Sequence, residues 1–172
     1  MRQGNNYMVT YDAEMRDSKA LGDSIIQSEW LEPDTMFVNC FPQYSSRITH
    51  LLSHTLSYLN LDEPFEVVDL RMPWPTMGQI WDPDDLMYKV YSKYLSNWVW
   101  KNVQSYNKYL FIGADAFSEF TSLKKMLNGK SEDYRFALLY KPKYGSFLPD
   151  YVGREYEGKL LFQWENSNNP NK

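Results

Sequence analysis

The sequence predicts an α/β fold with a mostly parallel central sheet flanked by helices. Three observations carry that prediction. Short apolar runs rich in strand formers recur at 35–41, 65–70, 108–113 and 136–140. Between them lie segments whose apolar residues repeat at helical spacing, or that open on helix-start chemistry. The runs are apolar nearly throughout rather than alternating, as strands covered on both faces are. In such sheets ligands sit beyond the carboxyl ends of the strands. The loops starting at Pro42, Arg71, Ala114 and Lys141 are therefore expected to converge.

Residues 1–8 read as a flexible tail, and so does 166–172, where NSNNPNK offers nothing apolar to bury. Tyr11 to Glu29 reads as a helix, with Tyr11, Met15, Leu21, Ile25 and Ile26 as its apolar stripe. Pro33-Asp34 punctuates the chain, and Thr35 to Phe41 follows as a buried parallel strand. Cys40 within it reads as a packed core thiol, because no activating cation lies beside it. A turn at Pro42 to Ser46 leads into a helix carrying Ile48, Leu51, Leu52, Thr55, Leu56 and Leu59. Phe65 to Leu70 is the next strand, and Arg71 to Trp81 a structured loop.

Asp82-Pro83-Asp84-Asp85 is a helix start: a cap, a proline in the first turn, and acids on the positive end of the dipole. That helix is expected to run to about Gln104. Lys108 to Gly113 is a strand, and Asp115 or Ser118 caps a helix running through Leu127, which Asn128-Gly129 ends. Phe136 to Tyr140 and Lys159 to Trp164 complete the strands.

A chain of 172 residues is expected to fold as one domain. The net charge of −4 gives no global attraction to nucleic acid or anionic membrane. Lys124, Lys125, Lys141 and Lys143 make only a small cationic spot. The single cysteine makes no internal disulfide, and no secretory leader is evident, which points to a reducing, cytoplasmic setting. No apolar run approaches the ~20 residues of a membrane span. Aromatic residues reach 17%, with 14 Tyr and 6 Trp. They either fill the core or anchor an interface.

The last quarter carries the most specific signal. LLYKP (138–142) is a buried strand ending in Lys-Pro, PDYVG (149–153) reads as a loop, and LLFQWE (160–165) as a closing segment. With the preceding order of elements, this resembles the type I phosphoribosyltransferase family over about residues 9–165, its xanthine/guanine-type members above all. The resemblance implies a phosphoribosyltransferase-like domain spanning 1–172 with a small C-terminal hood segment. It implies that Lys141 points its ammonium at the exocyclic oxygen of a purine. A homodimer is a further expectation, since such folds often dimerise.

The chain departs from that pattern at two anion sites. The family's strand matching Tyr109–Ile112 leads into two consecutive acids that grip ribose hydroxyls, then a Thr/Gly-rich turn that cradles the 5′-phosphate. Here Gly113 and Ala114 stand at the acidic pair. Ser118 and Thr121 match hydroxyl positions, and Glu119 replaces a glycine. A carboxylate there would repel a phosphate dianion. Asp115 substitutes for one lost acid if the register slips. The pyrophosphate loop is replaced by Pro42-Gln43-Tyr44-Ser45-Ser46, where proline has no N–H to give, although Arg47 could reach an anion. The aromatic residue that should stack on the base falls near Lys159, leaving Phe162 or a tryptophan of 71–81 to substitute.

Simpler roles compete at each position. Lys141 could be a surface lysine at a strand end, and Asp115, Ser118 and Thr121 plain helix caps. His50 and His54 share a helix face with no third ligand at obvious spacing, and helix-start chemistry accounts for Asp82, Asp84 and Asp85, so no metal site is assigned. Mg²⁺ enters only if the chain is an active transferase. Three functions remain open. One is a non-catalytic or repurposed phosphoribosyltransferase-like protein binding a purine-like base or nucleotide. The second is a diverged active enzyme, with Asp115 on ribose, Ser118 and Thr121 on phosphate, and Lys141 on the base. The third is a protein-interaction module using the aromatic-rich 71–100 region.

Overall fold

The structure, a computed structural model, describes residues 6–40, 48–53, 56, 65–70, 84, 86–103, 106–115, 117–127, 133–145 and 147–163. In chain order the elements are β1 (Tyr7–Val9), α1 (Tyr11–Gln27), β2 (Thr35–Cys40), α2 (helical at 48–53), β3 (Val67–Leu70), α3 (Leu86–Val103), β4 (Lys108–Gly113), α4 (Phe117–Leu127), β5 (Tyr134–Pro142), β6 (Tyr151–Tyr156) and β7 (Leu160–Phe162). Five strands form one sheet in the order β3-β2-β4-β5-β6. Every neighbouring pair in it is parallel.

Both faces of that sheet are covered. Met36, Val38, Tyr109, Phe111, Phe136 and Leu138 pack against Leu95 of α3 and Phe120, Leu123 and Met126 of α4. Phe37, Leu110, Ile112, Ala137 and Leu139 pack on the opposite side with Leu21 and Ile25 of α1 and Ile48 and Leu52 of α2. All six residues of β2 are buried, which is why the run reads as continuously apolar rather than alternating. Cys40 is fully buried there, and burial pushes its thiol pKa up. It is a core thiol, as expected.

Helix α1 starts at Thr10, whose hydroxyl accepts from Ala13 N–H at 3.1 Å. Its buried face differs from the predicted apolar stripe. Tyr11 and Met15 are exposed at 49% and 51%, whereas Glu14, Asp17 and Ser18 face inward with Leu21 and Ile25. The polar face is accommodated by Tyr7, whose hydroxyl donates to Asp17 Oδ2 at 2.8 Å. Arg16 Nε donates to Asp17 Oδ1 at 3.1 Å.

Two further expectations are corrected. Tyr7 and Met8 are not a free tail: they form β1, paired in parallel with Leu160 and Leu161 of β7. This small two-stranded sheet is the hood. Nor is Tyr151-Val152-Gly153 a loop. It opens β6, the edge strand beside β5. Parallel neighbours normally require a helical crossover. Here the described residues of the connection, 143–145 and 147–150, include no helix; Phe147 is buried, and Phe136 N–H donates to Asp150 Oδ2 at 2.8 Å.

Two glycines allow close approach. A Cβ on Gly153 would lie 2.8 Å from the Asp17 carbonyl oxygen and 2.9 Å from that of Leu139, so α1 and β5 close on β6 only because the side chain is absent. A Cβ on Gly113 would strike the Phe120 ring, at 2.7 Å from Cζ and nearer still to Cε2.

Gly153→Ala should destabilise the fold by about 1–3 kcal/mol, since backbone rather than a flexible side chain must yield. Thermal melting should register this at roughly 2–4 °C per kcal/mol. Gly113→Ala should cost a similar ~1–3 kcal/mol, but far less in a Phe120→Ala background. A double-mutant cycle by denaturant unfolding checks that coupling. Cys40 should resist a thiol reagent in the native protein and react on unfolding, in a stopped-flow assay.

Candidate functional site

The chain runs from β2 to β3 on one side and then to β4 on the other, so the strand order reverses between β2 and β4. Such a switch point opens a crevice beyond the carboxyl ends of the two strands. Their register aligns Asn39 with Ile112, so β2 and β4 end side by side. Asn39 is fully buried and ties this edge together. Its Nδ2 donates to Asp69 Oδ1 at 2.8 Å on β3, and its Oδ1 accepts from Thr49 Oγ1 at 3.1 Å on α2. The end of β2 and the start of α2 are thereby held together. Residues 41–47, Arg47 and the Pro42 turn among them, lie outside the described residues, as do the tryptophans at 74 and 81.

At the end of β4, Gly113 abuts Phe120 and Ala114 is buried at 3% exposure. The Ala114 carbonyl accepts from Tyr140 N–H at 2.8 Å, so β5 runs on beside the turn. Asp115 is half-buried. Together with burial, which is the larger cause, its charge raises the pKa of the Tyr156 phenol at the end of β6. Ser118 falls inside α4 rather than at its cap, and Thr121 is half-buried one turn further on.

Lys141 is 6% exposed, and its Nζ donates to Glu155 Oε1 at 2.7 Å. The two are register partners, each the next-to-last residue of its strand. Lys143 pairs in the same way with Glu157, and Lys124 donates to the Leu148 carbonyl at 3.3 Å. Two of the four lysines of the small cationic spot are thus offset by carboxylates.

Phe162, on β7, meets Tyr140 edge-on with ring centroids 6.0 Å apart, and Tyr140 lies 6.0 Å from Tyr7 of β1. The hood therefore rests on Tyr140, the residue next to Lys141. The Tyr140 hydroxyl is buried without a hydrogen-bond partner, as is Ser18 Oγ on α1. Burial first, then the charges of Asp17, Tyr7 and Glu14, drive the Tyr140 phenol pKa well above its ordinary value. Among the described residues no three His, Cys, Asp or Glu side chains are grouped to hold a metal ion, and no helix is long and apolar enough to cross a membrane.

Asp115, Lys141 and Phe162 are thus set around the carboxyl edge of β4–β6 and the adjoining hood. Sequence reasoning missed Glu155 and the Asn39–Asp69 bond. Both depend on strand register, which no local pattern encodes.

No protein-family model and no curated protein matches this chain. Solved structures do. A xanthine-guanine-hypoxanthine phosphoribosyltransferase from Helicobacter pylori aligns with a TM-score of 0.58 at 15% identity, over 95% of each chain. A purine phosphoribosyltransferase from Pyrococcus horikoshii aligns at 0.55 and 15%, over 92% of this chain and 93% of that one. A hypothetical protein from Neisseria gonorrhoeae with bound ppGpp aligns at 0.50 and 16%, over 96% and 92%. At these identities the likeness concerns the fold alone, and that fold, with its parallel sheet, its switch point and its hood, is the type I phosphoribosyltransferase-like one.

Proposed function

We propose that this protein is a phosphoribosyltransferase-fold binder that has lost transfer chemistry and takes a purine-like base or nucleotide beyond the carboxyl ends of β4, β5 and β6. The observation that carries this reading is the closed step at the end of β4. Phosphoribosyl transfer depends on holding ribose, pyrophosphate and base in one geometry and stabilising a charge-separated transition state. The resemblance calls for two carboxylates at 113 and 114. Gly113 is packed against Phe120, and Ala114 is buried with its carbonyl committed to β5. Asp115 alone is a poor replacement for two acids that would hold ribose beside Mg²⁺, so no step is assigned to a metal.

On the base side the required chemistry is kept. Lys141 offers an ammonium at the edge where a base would sit, and Phe162 of the hood packs on Tyr140, the preceding residue of β5. The similarly folded Neisseria gonorrhoeae protein holds ppGpp, which supports a nucleotide as ligand for this frame.

A second reading, compatible with the first, has one specific observation in its favour. Leu86, Val90 and Tyr94 of α3 are exposed at 72%, 51% and 45% and recur every fourth residue, forming an outward apolar stripe within the 71–100 region. Trp98 of the same helix instead packs inward, with its ring 6.5 Å from that of Tyr109. We assign the stripe to a second copy of this chain. Light scattering should then give twice the monomer mass, reduced to the monomer in Val90→Glu. A monomer at all concentrations removes this reading.

For the first reading, isothermal titration with phosphoribosyl pyrophosphate and Mg²⁺ should give no micromolar binding. Purine nucleosides or nucleotides should bind, and Lys141→Met should weaken them about tenfold or more. Micromolar binding of phosphoribosyl pyrophosphate, or turnover of any base, would overturn it.

A further inference from the structure

We infer that Glu14 and Asp17 of α1, with the hydroxyls of Ser18 and Tyr140, form a site for one monovalent alkali cation that fastens the hood to the sheet. This goes beyond the base-binding reading and does not depend on it.

The polar groups come from elements packed face to face. Glu14, Asp17 and Ser18 fall at helical spacing on the inward side of α1, with Leu21 one turn on. They are 2%, 2% and 3% exposed. Tyr140 of β5 is fully buried in the same cluster as Leu21. The α1 backbone closes tightly on this part of the sheet, since a Cβ on Gly153 would lie 2.8 Å from the Asp17 carbonyl oxygen. The hood contributes Tyr7. Its hydroxyl donates to Asp17 Oδ2 at 2.8 Å, and its ring lies 6.0 Å from that of Tyr140. One polar cluster thus joins α1, β5 and the hood.

Two hydroxyls in it are unspent. Ser18 Oγ and the Tyr140 hydroxyl are buried and make no hydrogen bond. Ser18 does not even turn back on a carbonyl of its own helix, the usual recourse of a mid-helix serine. The Tyr140 phenol nonetheless feels the acids. Burial is the largest cause of its raised pKa, Asp17, Tyr7 and Glu14 add to it, and Arg16 opposes them more weakly. The Arg16 side chain is 63% exposed and keeps its charge toward solvent. The potential at the two hydroxyls is therefore negative. Orphaned buried groups call for a water or an ion. A water brings no charge. A cation takes lone pairs from both hydroxyls and offsets the two acids at once.

The donor set selects the kind of ion. Asp17 already accepts from Tyr7 at Oδ2 and from Arg16 at Oδ1, so it has only its remaining lone pairs to give. Ser18 and Tyr140 add neutral oxygens. Among the described residues no three His, Cys, Asp or Glu side chains are grouped. Calcium wants more oxygens than this, and magnesium a near-ideal octahedron in which it keeps waters. An alkali cation accepts irregular, mostly neutral oxygen ligands, and it needs about the room of one water.

Thermal melting of the full chain in potassium, sodium and tetramethylammonium chloride, at equal ionic strength, tests this. A cation at about ten times its dissociation constant shifts the folding equilibrium about tenfold. For a chain of this size that reads as a saturable rise of roughly 3–6 °C over tetramethylammonium, with potassium or sodium. Hydrogen exchange should slow in the hood as well, at the Tyr7 amide that bonds the Lys159 carbonyl. Ser18→Ala and Tyr140→Phe each remove one orphaned hydroxyl. In tetramethylammonium both should melt no lower than the wild type, and both should lose the alkali-dependent rise. Should one variant fail to fold, the other decides. Equal melting of the wild type in all three salts means an ordered water fills the place, and overturns the inference. A rise kept in full by either folded variant is a general salt effect and overturns it equally.

Discussion

Strands β2, β4 and β5 are covered on both faces, so their peptide groups can be satisfied only sideways, by one another. That requirement governs the rest of the molecule. Parallel strands that share a ladder must be linked by crossovers, and crossovers gather all carboxyl ends on one edge. The chain departs from β2 in two directions, to β3 and then to β4, and this divergence is the switch point. The helices on each face follow, because each must bury an apolar stripe against the sheet that created the need.

Within this frame the edge is divided electrostatically. Over β4 it is apolar and closed, with Gly113 under Phe120 and Ala114 buried. Over β5 and β6 it is ionic, with Lys141 and Glu155 in contact and Asp115 acting on Tyr156. An anion would find little backbone to bind at the first half. A planar ligand with its own donors and acceptors would find a partner at the second. The hood, resting on Tyr140 through Tyr7 and Phe162, sits on the ionic side.

Much of the fold was legible in the sequence because burial on two faces writes itself as uninterrupted apolar runs. TMFVNC and KYLFIG each became a strand within a residue of expectation. Strand β6 was not legible: YVGREY carries a glycine and two charges, as an edge strand with one solvated side can. No described residue of its crossover is helical, so no helix announces it. The buried face of α1 was misread because Glu14, Asp17 and Ser18 are polar, and it is Tyr7, brought in by the tertiary fold beside the neighbouring Arg16, that makes sense of Asp17 there. Lys141 stood out in the chain because LLYKP resembles a strand-plus-lysine of the xanthine/guanine-type enzymes. Glu155 did not, since its meaning comes from the register of β5 with β6.

The contact between Gly113 and Phe120 also limits what position 113 can become. Any larger side chain there meets the ring before it meets anything beyond the sheet. A change at 113 is therefore harmful until Phe120 has changed first, so the two positions can drift only as a pair.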